Sequence, residues 1–287
     1  MLGDAVFKHF SGLGEVRASD LRPRGDWLSQ VDVSNFKQFR DEVDEFQPTL
    51  LINLAAQTDL EFCEENPRKA WGDNALGAEN GVLIANTLDI PYVFISTAGI
   101  FAGEKDYYVD YDEPGPLTVY GRSKLHGERF TERTARKFYV LRAGWMMGGG
   151  QELDKKFINK VYKQILAGAT EIYAVTDKLG TPTYTKDFSR GMEVVCRSGL
   201  YGTYNQVCGG RTNRYEVAKE FVRLLGLERD IKVHPVESGY FAQEYYAPRP
   251  RSEQLINLKL EQRGLNIMRD WRLCLAEYAI EHFRFIS

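Results

Sequence analysis

The stretch Tyr92-Val93-Phe94-Ile95-Ser96-Thr97 decides how this sequence is expected to fold. Its first four residues are apolar without interruption, which is typical of a parallel strand buried on both faces. The run ends in two hydroxyl side chains, and α/β proteins place their chemistry at the carboxyl ends of such strands. The stretch therefore predicts a buried strand that leads into a functional site.

Helices and strands are predicted to alternate on either side of this stretch. Residues 49–56 form another continuous apolar run, and apolar residues recur at helical spacing over residues 36–46 and 67–88. Because parallel strands are joined by crossover helices, this alternation favours a parallel sheet with helices on both faces. The predicted fold class is α/β, a doubly wound, Rossmann-like parallel sheet.

The second half of the chain is expected to form a smaller, C-terminal substrate-binding domain. The flexible run Gly148-Gly149-Gly150 marks the predicted boundary, with a dinucleotide-binding domain over residues 1–147 and a mainly substrate-binding domain over residues 148–287. A strand over residues 202–207 is predicted to return to the sheet of the first domain.

Tyr120 and Lys124 lie four residues apart on a helix predicted over residues 120–137. This spacing places the phenol and the ammonium on one helix face, where both can serve one bound molecule. A nearby cation stabilises a phenolate, so we expect Lys124 to lower the pKa of Tyr120 from its ordinary value of about 10. Ser96 or Thr97, at the end of the preceding strand, is expected to supply a third polar group.

Composition narrows the possible functions. A chain of 287 residues can bury a sizeable core, and its net charge of −3 gives no overall attraction to nucleic acid or to an anionic membrane. It contains neither an apolar run of membrane-spanning length nor a signal-peptide pattern, so a cytoplasmic protein is predicted. The scattered cysteines predict reduced thiols and no metal site, and they stand at positions 63, 196, 208 and 274.

The amino-terminal segment contains a candidate ribose-binding residue. A helix over residues 4–10 is followed by a short strand predicted over residues 16–20, which Asp20 closes. In a dinucleotide-binding unit such an acidic residue accepts hydrogen bonds from the adenosine ribose, whereas arginines such as Arg22 and Arg24 would receive a 2′-phosphate. A solvated carboxylate in a turn is the alternative for Asp20.

Taken together and in order, the motifs of the chain resemble those of the extended short-chain dehydrogenases/reductases, and within them the dTDP-4-dehydrorhamnose reductases. The resemblance covers nearly the whole chain. It is carried by Asn53-Leu54-Ala55-Ala56-Gln57-Thr58, Ile95-Ser96-Thr97, Tyr120-Gly121-Arg122-Ser123-Lys124, Leu141-Arg142 with Trp145, Asp177 with Gly180-Thr181-Pro182-Thr183, and Arg249-Pro250.

This resemblance implies a catalytic set of Thr97, Tyr120 and Lys124. Tyr120 would protonate a ketone oxygen as a nicotinamide delivers hydride to the carbon, and Lys124 would hold the nicotinamide ribose. Thr97 would hydrogen-bond the substrate oxygen. Its alternative is a hydroxyl that bonds only to backbone.

The resemblance also implies residues that bind NAD(H) or NADP(H) and a nucleotide-sugar substrate. Trp145 and Arg249 would face the nucleotide sugar, although a core indole and a solvated loop arginine are open alternatives. Lys124 joins the cofactor-binding residues, whose other members are Gly3, Asp20, Arg22, Asp32, Val33, Ala55 and Ala56. A homodimer is compatible with the sequence, which leaves the oligomeric state open.

The sequence departs from the family pattern in two places, and these departures change what we expect of cofactor binding and of the substrate. Met1-Leu2-Gly3 resembles the end of the family's glycine-rich turn, so the preceding strand and glycines are not in this sequence. We expect a shortened start, two exposed sheet edges and weakened cofactor binding. After Thr97 the family usually has an acidic and then an aromatic residue, whereas this chain has Ala98-Gly99, which argues against a dehydratase and fits a different ketosugar.

The function that the resemblance implies is reduction of a nucleotide-activated 4-keto-deoxysugar by NAD(P)H, in surface polysaccharide or deoxysugar biosynthesis. A sugar-nucleotide epimerase of the same superfamily is an alternative. A non-catalytic regulatory subunit of this fold, such as the one that binds methionine adenosyltransferase, is another alternative. A binding module would have no chemical need for Thr97, Tyr120 and Lys124 together.

Overall fold

The computed structural model describes residues 1–283. Its strands are β1 (Ala18–Asp20), β2 (Leu28–Gln30), β3 (Leu51–Asn53), β4 (Tyr92–Thr97), β5 (Phe138–Ala143), β6 (Trp145–Met147), β7 (Glu171–Val175), β8 (Leu179–Gly180), β9 (Pro182–Tyr184), β10 (Gly202–Asn205), β11 (Thr212–Asn213) and β12 (Lys232–Val236). Its helices are α1 (Leu2–Ser11), α2 (Phe36–Phe46), α3 (Leu60–Glu65), α4 (Pro67–Trp71), α5 (Gly77–Leu88), α6 (Val119–Thr134), α7 (Gly150–Leu153), α8 (Phe157–Leu166), α9 (Thr185–Ser198), α10 (Arg214–Leu224), α11 (Leu258–Gln262) and α12 (Trp271–His282). None of the helices within these residues combines the length and apolar character needed to cross a bilayer.

Four parallel strands form the main sheet, in the order β10-β5-β4-β3. β4 pairs with β5 along its whole length, from Tyr92 opposite Phe138 to Thr97 opposite Ala143. The strand predicted over residues 92–97 is confirmed, and the segment predicted over residues 202–207 returns to the sheet as β10. Because the strands are parallel, their carboxyl ends meet at one edge, where Thr97 lies.

Helices cover both faces of this sheet. Val93 and Ile95 of β4 point to one face and pack in a core that includes residues of α1 and α9. Tyr92 and Phe94 point to the opposite face and pack against α5. This alternation follows from the two-residue period of a strand, and it confirms the doubly wound α/β fold.

The first two strands lie outside the main sheet. β1 and β2 form a separate parallel pair. Among residues 1–283, β1 pairs only with β2 and β3 only with β4, so each strand has one edge without a strand partner. β1 and β3 each therefore keep backbone groups along one edge that can pair with another strand.

A second core lies in the carboxyl-terminal part of the chain. Large apolar side chains of α8, α10 and α12 meet there, among them Phe221, Trp271 and Tyr278. Residues after 148 nevertheless also supply α9 and β10 to the main sheet. The division at residue 148 into two domains therefore stays a prediction.

Folding brings together two cysteines that are distant in sequence. The Sγ atoms of Cys208 and Cys274 lie 3.5 Å apart, and Cys274 Sγ lies 3.2 Å from Asp187 Oδ2. Arg269 already donates two hydrogen bonds to the Asp187 carboxylate, at 2.6 and 2.8 Å. A cation at this cluster would have to compete with the guanidinium for the same oxygens.

Two predicted elements differ from the structure. The strand predicted over residues 49–56 is shorter, because the Asn53 side chain accepts a hydrogen bond from Ala55 N at 3.0 Å and so bends the chain out of the sheet. The helix predicted over residues 67–88 is interrupted by a π-helical turn at Gly72–Leu76. Such turns are frequent at functional sites.

Candidate active site

Thr97 ends β4 and begins a 3₁₀ turn over Ala98–Ile100. Its Oγ1 accepts a hydrogen bond from Gly99 N at 3.1 Å, and the side chain is 9% exposed. The Tyr120 ring lies beside the same turn, since a Cβ atom on Gly99 would be 3.5 Å from Thr97 Oγ1 and 3.7 Å from Tyr120 Cε1. The strand end and the α6 helix therefore bring together the two hydroxyl groups that the sequence placed in one site.

Close packing positions the start of α6 beside the end of β4. Thr118 caps the helix by accepting a hydrogen bond from Gly121 N at 2.9 Å. A Cβ atom on Gly121 would lie 2.5 Å from the carbonyl oxygen of Gly99, so only glycine allows this approach. Tyr120 is consequently held next to the turn that follows Thr97.

Lys124 lies one helical turn after Tyr120 and is buried, with 3% of its surface exposed. Its ammonium lies 4.0 Å from the centroid of the Phe94 ring. Within residues 1–283 it forms no salt bridge, and burial lowers its pKa to about 7, against a smaller opposing effect of Glu128. An ammonium in this position is ready to hydrogen-bond a ligand.

The pKa of Tyr120 differs from the sequence-based expectation. Burial raises it to about 12, the neighbouring Thr97 hydroxyl lowers it in part, and the charge of Glu253 raises it further. Lys124 does not lower it, because that lysine is itself uncharged above a pH of about 7. Tyr120 is therefore a protonated phenol at neutral pH.

A buried ion pair fastens α6 to the sheet. Arg142 of β5 and Glu128 of α6 lie 2.6 Å apart, with side chains 5% and 1% exposed. Arg142 also donates a hydrogen bond to the carbonyl oxygen of Asp110 at 3.0 Å. Since removal of one partner of a buried pair leaves an uncompensated charge, this contact fixes the helix that carries Tyr120 and Lys124.

The π-helical turn supports the same site through Asn74. The Asn74 side chain accepts a hydrogen bond from Gln57 N at 2.8 Å and donates one to Ser123 Oγ at 3.0 Å. It therefore joins the loop after β3 to α6. Asn74 is fully buried and acts here as a structural link between these elements.

Asp32, one of the residues predicted to bind the adenosine, lies at a surface cavity of about 350 Å³. Asp32 lines this cavity together with Leu21, Gln30, Asn35 and Gln38. The Asp32 carboxylate accepts two hydrogen bonds from Ser34, at 2.6 and 2.9 Å, which lower its pKa.

Asp20 and Arg22 lie at the end of β1, close to this cavity. Asp20 is exposed, and its carboxylate accepts a hydrogen bond from Arg22 N at 2.8 Å. The Arg22 side chain is exposed too. Both side chains remain available to a ribose or a 2′-phosphate, so the choice between NADH and NADPH stays open.

The other residues predicted for the cofactor lie near the carboxyl end of β3 or beside α5. Ala55 is exposed in the loop after β3. Ala56 is the next residue of that loop, and Gly3 in the first turn of α1 faces Leu54, its Cβ position being 3.9 Å from Leu54 Cδ1. Val33 packs against Gly77 of α5, where a Cβ atom would lie 2.7 Å from Val33 Cγ2.

A dinucleotide fits two features of this structure. The buried ammonium of Lys124 has no carboxylate partner among the described residues, and ribose hydroxyl groups would satisfy it. The polar cavity beside Asp32 has room for a base and offers carboxylate and amide groups. The residues present therefore suit a nicotinamide dinucleotide.

Trp145 and Arg249, predicted to face the substrate, already have protein partners. Trp145 Nε1 donates a hydrogen bond to Glu253 Oε2 at 2.7 Å. Arg249 forms a bidentate ion pair with Glu61, at 2.8 and 3.0 Å. Burial raises the pKa of Glu61, but the hydrogen bond and charge of Arg249 lower it overall.

Two further residues of this region escaped the sequence analysis. The Arg214 guanidinium stacks on Trp145, 3.8 Å from the ring centroid, and burial lowers its pKa to about 10. Glu253 contacts the same indole. No local motif singles out either residue, since both reach the site only through the fold. We call Trp145, Arg214, Arg249 and Glu253 the substrate side, and Thr97, Tyr120 and Lys124 the catalytic side.

A Rossmann-like sheet with a threonine, a tyrosine and a lysine at its carboxyl edge defines a short-chain dehydrogenase/reductase type of protein. Residues 1–284 match the family model described as the RmlD substrate binding domain. The chain therefore belongs to this family.

Curated relatives support the same assignment. The chain is 31% identical over 276 residues to the dTDP-4-dehydrorhamnose reductase of Mycolicibacterium smegmatis, covering 92% of this chain and 81% of that protein. It is 30% identical over 254 residues to the spore coat polysaccharide biosynthesis protein SpsK of Bacillus subtilis, covering 88% of this chain and 86% of that one.

A solved structure extends the comparison to the fold and the cofactor. The dTDP-4-dehydrorhamnose reductase of Bacillus anthracis, in complex with NADP, superposes with a TM-score of 0.81 at 28% identity. The alignment covers 88% of this chain and 87% of that chain. The prediction of a dTDP-4-dehydrorhamnose reductase-like, NAD(P)-dependent oxidoreductase is confirmed by these comparisons.

Proposed function

We propose that this protein reduces the ketone of a nucleotide-activated 4-keto-deoxysugar with NADH or NADPH. The observation that carries this proposal is the convergence of Thr97 and Tyr120 beside Gly99, with the buried Lys124 one helical turn away. The reaction belongs to deoxysugar or surface polysaccharide biosynthesis, the context of the relatives.

Tyr120 is in the protonation state that reduction of a ketone requires. A phenol with a pKa of about 12 carries its proton at neutral pH, so it can give that proton to the oxygen of a ketone as the carbon is reduced. Thr97 is positioned to donate a hydrogen bond to the same oxygen, because its Oγ1 already accepts from Gly99 N. The two hydroxyl groups thus orient the ketone and supply its proton.

A reduced nicotinamide supplies the hydride when it is bound. Lys124 would hold the nicotinamide ribose, and Ala55 and Ala56 would line the path of the cofactor. Asp20 or Arg22 would contact the adenosine ribose or its 2′-phosphate, beside Asp32 and Val33. Gly3 would lie at the helix start near the pyrophosphate.

The substrate side fits a nucleotide sugar. Trp145 offers an aromatic face, and Arg249 offers a guanidinium that matches phosphate geometry once it exchanges Glu61 for the ligand. Such exchange is feasible because the pair is partly exposed, at 29% for Arg249 and 20% for Glu61. The cytoplasm and a homodimer remain the predicted location and assembly.

A purely regulatory role fits the structure less well. Keeping Lys124 buried without an anionic partner costs stability, and among residues 1–283 its ammonium forms no hydrogen bond or salt bridge and lies over the Phe94 ring. A binding module would gain nothing from this arrangement, whereas a reductase gains a ribose contact beside the catalytic tyrosine.

An assay of cofactor oxidation tests the proposal. The purified chain is given NADH or NADPH with dTDP-4-dehydrorhamnose, and the loss of absorbance at the nicotinamide band is followed together with the sugar product. We expect turnover, and a loss of at least about 100-fold in kcat for Tyr120→Phe. The exposed Tyr240 supplies a matched control, Tyr240→Phe, that retains full activity. Equal rates for Tyr120→Phe and the wild type would exclude the assigned role.

A further inference from the structure

The Glu253 carboxylate lies beside Gly99, Thr97 and Tyr120. A Cβ atom on Gly99 would lie 3.4 Å from Glu253 Oε1, 3.5 Å from Thr97 Oγ1 and 3.7 Å from Tyr120 Cε1. The carboxylate and the two hydroxyl-bearing side chains therefore converge on one small region. Residue 99 is a glycine in this chain, so no side chain stands between Glu253 and the two hydroxyl-bearing residues.

The fold holds Glu253 in this place. Glu253 N donates a hydrogen bond to the carbonyl oxygen of Leu179 at 2.8 Å, and Leu179 N donates to the carbonyl oxygen of Arg251 at 2.8 Å. These backbone contacts attach the loop to β8. Trp145 Nε1 then fixes the carboxylate orientation through its hydrogen bond to Oε2.

The second carboxylate oxygen has no partner. Within residues 1–283, Glu253 Oε1 accepts no hydrogen bond and forms no salt bridge, although the side chain is only partly exposed. Arg214 lies over the face of the Trp145 ring and offsets some of the negative charge of Glu253. A carboxylate oxygen that has no protein partner and is open to the site can accept a hydrogen bond from a ligand donor.

We propose that Glu253 determines substrate specificity, its Oε1 accepting a hydrogen bond from a hydroxyl or amino group on the ring carbon next to the ketone. This inference rests on the proposed reductase function, which places the ketone oxygen at Thr97 and Tyr120. A substituent on the neighbouring ring carbon lies close to that oxygen in any ketosugar, and Glu253 Oε1 lies beside the same two side chains. A substrate without a donor there would leave the carboxylate unpaired, which a site built for a hydrogen bond penalises.

Three matched substrates test the inference. Nucleotide-activated 4-keto-6-deoxysugars with a hydroxyl, an amino group or only hydrogen on the adjacent carbon C3 are compared in steady-state kinetics. For the wild type we expect kcat/KM to be at least about tenfold higher with either donor than with the 3-deoxy sugar. Relative rates for the hydroxyl and amino sugars then identify which donor the site accepts better.

The variant Glu253→Gln removes the charge and keeps an oxygen that can accept from Trp145 Nε1. We expect its preference for the donor-bearing sugars to fall below about threefold, because an amide is a weaker acceptor than a carboxylate. Glu237→Gln is the control, since Glu237 is exposed and forms no hydrogen bond or salt bridge among the described side chains. It should keep the wild-type preference.

The possible outcomes distinguish failure of the specificity role of Glu253 from failure of the proposed reductase function. If the wild type reduces all three sugars equally, or if Glu253→Gln keeps the preference, the specificity role is overturned and the reductase activity stands. If the wild type reduces none of them, the proposed reductase function fails and the inference fails with it. Glu253→Asp guards against a folding artefact, because it keeps the charge and should retain part of the preference.

Discussion

The catalytic side and the substrate side differ in whether their charged side chains have partners within the protein. On the catalytic side, the Lys124 ammonium is buried over the Phe94 ring without an anionic partner. On the substrate side, Arg249 is paired with Glu61, and Trp145 is hydrogen-bonded to Glu253. The first group is ready for a ligand at a cost in stability, whereas in the second Arg249 must leave Glu61 before it can bind a ligand. Substitutions on each side test this difference between an unpaired and a paired cation.

Substitution of Lys124 by methionine should have the largest effect. We expect kcat/KM to fall by about 10²- to 10³-fold, because the side chain predicted to hold the nicotinamide ribose beside Tyr120 is lost. The free energy of unfolding at pH 7 should rise by about 1–3 kcal/mol, since an unpaired polar group leaves the core. Cofactor oxidation and urea unfolding measure the two quantities.

The exposed Lys155 provides the matched control for this substitution. Lys155→Met should change neither activity nor unfolding beyond about 0.5 kcal/mol. A Lys124→Met protein that is less stable than the wild type would show that the ammonium is well satisfied in the native state, and the contrast between the two sides would fail.

The same lysine predicts how stability depends on pH. Burial lowers the pKa of Lys124 to about 7, well below its ordinary value near 10.4. Between these values the unfolded chain binds more protons than the native protein, so the contribution of Lys124 to stability rises with pH. Urea unfolding of the wild type and of Lys124→Met from pH 6 to 9.5 isolates this contribution. The wild type should gain stability relative to the variant as pH increases, and parallel curves would contradict the depressed pKa.

The central strand β4 and helix α2 could be predicted from the sequence, because the apolar patterns that indicate them involve only neighbouring residues. The apolar run at Tyr92–Thr97 is a strand as predicted, and helix α2 begins and ends where the spacing of apolar residues placed it. Tyr120 and Lys124 lie on one helix for the same reason, since their spacing matches the helical repeat. Whatever depends on a few neighbouring residues was accessible from the sequence.

The rest of the site depends on contacts that sequence patterns do not encode. Glu253 follows Tyr120 by more than a hundred residues and reaches it through the pairing of its loop with Leu179. The pairing of Arg249 with Glu61 likewise joins distant segments. The pKa of Tyr120 was expected to fall beside Lys124, but it rises because burial outweighs the other effects. Burial is a property of the folded chain as a whole.

Removal of the indole N–H at position 145 should have an intermediate effect. Trp145→Phe keeps an aromatic face for the substrate and leaves Glu253 without its donor. We expect KM for the nucleotide sugar to rise by about tenfold, with a smaller change in kcat, because the carboxylate is no longer oriented. Trp27→Phe serves as the control, since Trp27 is 45% exposed and packs on Phe7. An unchanged KM in Trp145→Phe would exclude Trp145 from the substrate side.

The smallest effect is expected for Glu61→Gln. The Arg249–Glu61 pair is partly exposed, so its loss should cost at most about 1 kcal/mol of stability. If Arg249 binds the nucleotide phosphates, the variant no longer requires Arg249 to leave a carboxylate, and KM should fall by about two- to threefold. If the pair only closes the loop onto α3, KM should rise instead, because the loop is less well held.

The second variant, Arg249→Lys, helps to decide what the direction of the KM change in Glu61→Gln means. A lysine keeps the charge but cannot form the bidentate contact to a phosphate, so it should raise KM when Arg249 binds the substrate. A lower KM in Glu61→Gln together with a higher KM in Arg249→Lys identifies Arg249 as a ligand-binding residue. Arg249 would then pair with Glu61 only until the ligand binds. A higher KM in both variants identifies the pair as a structural contact, and the substrate side would then consist of Trp145, Arg214 and Glu253 alone.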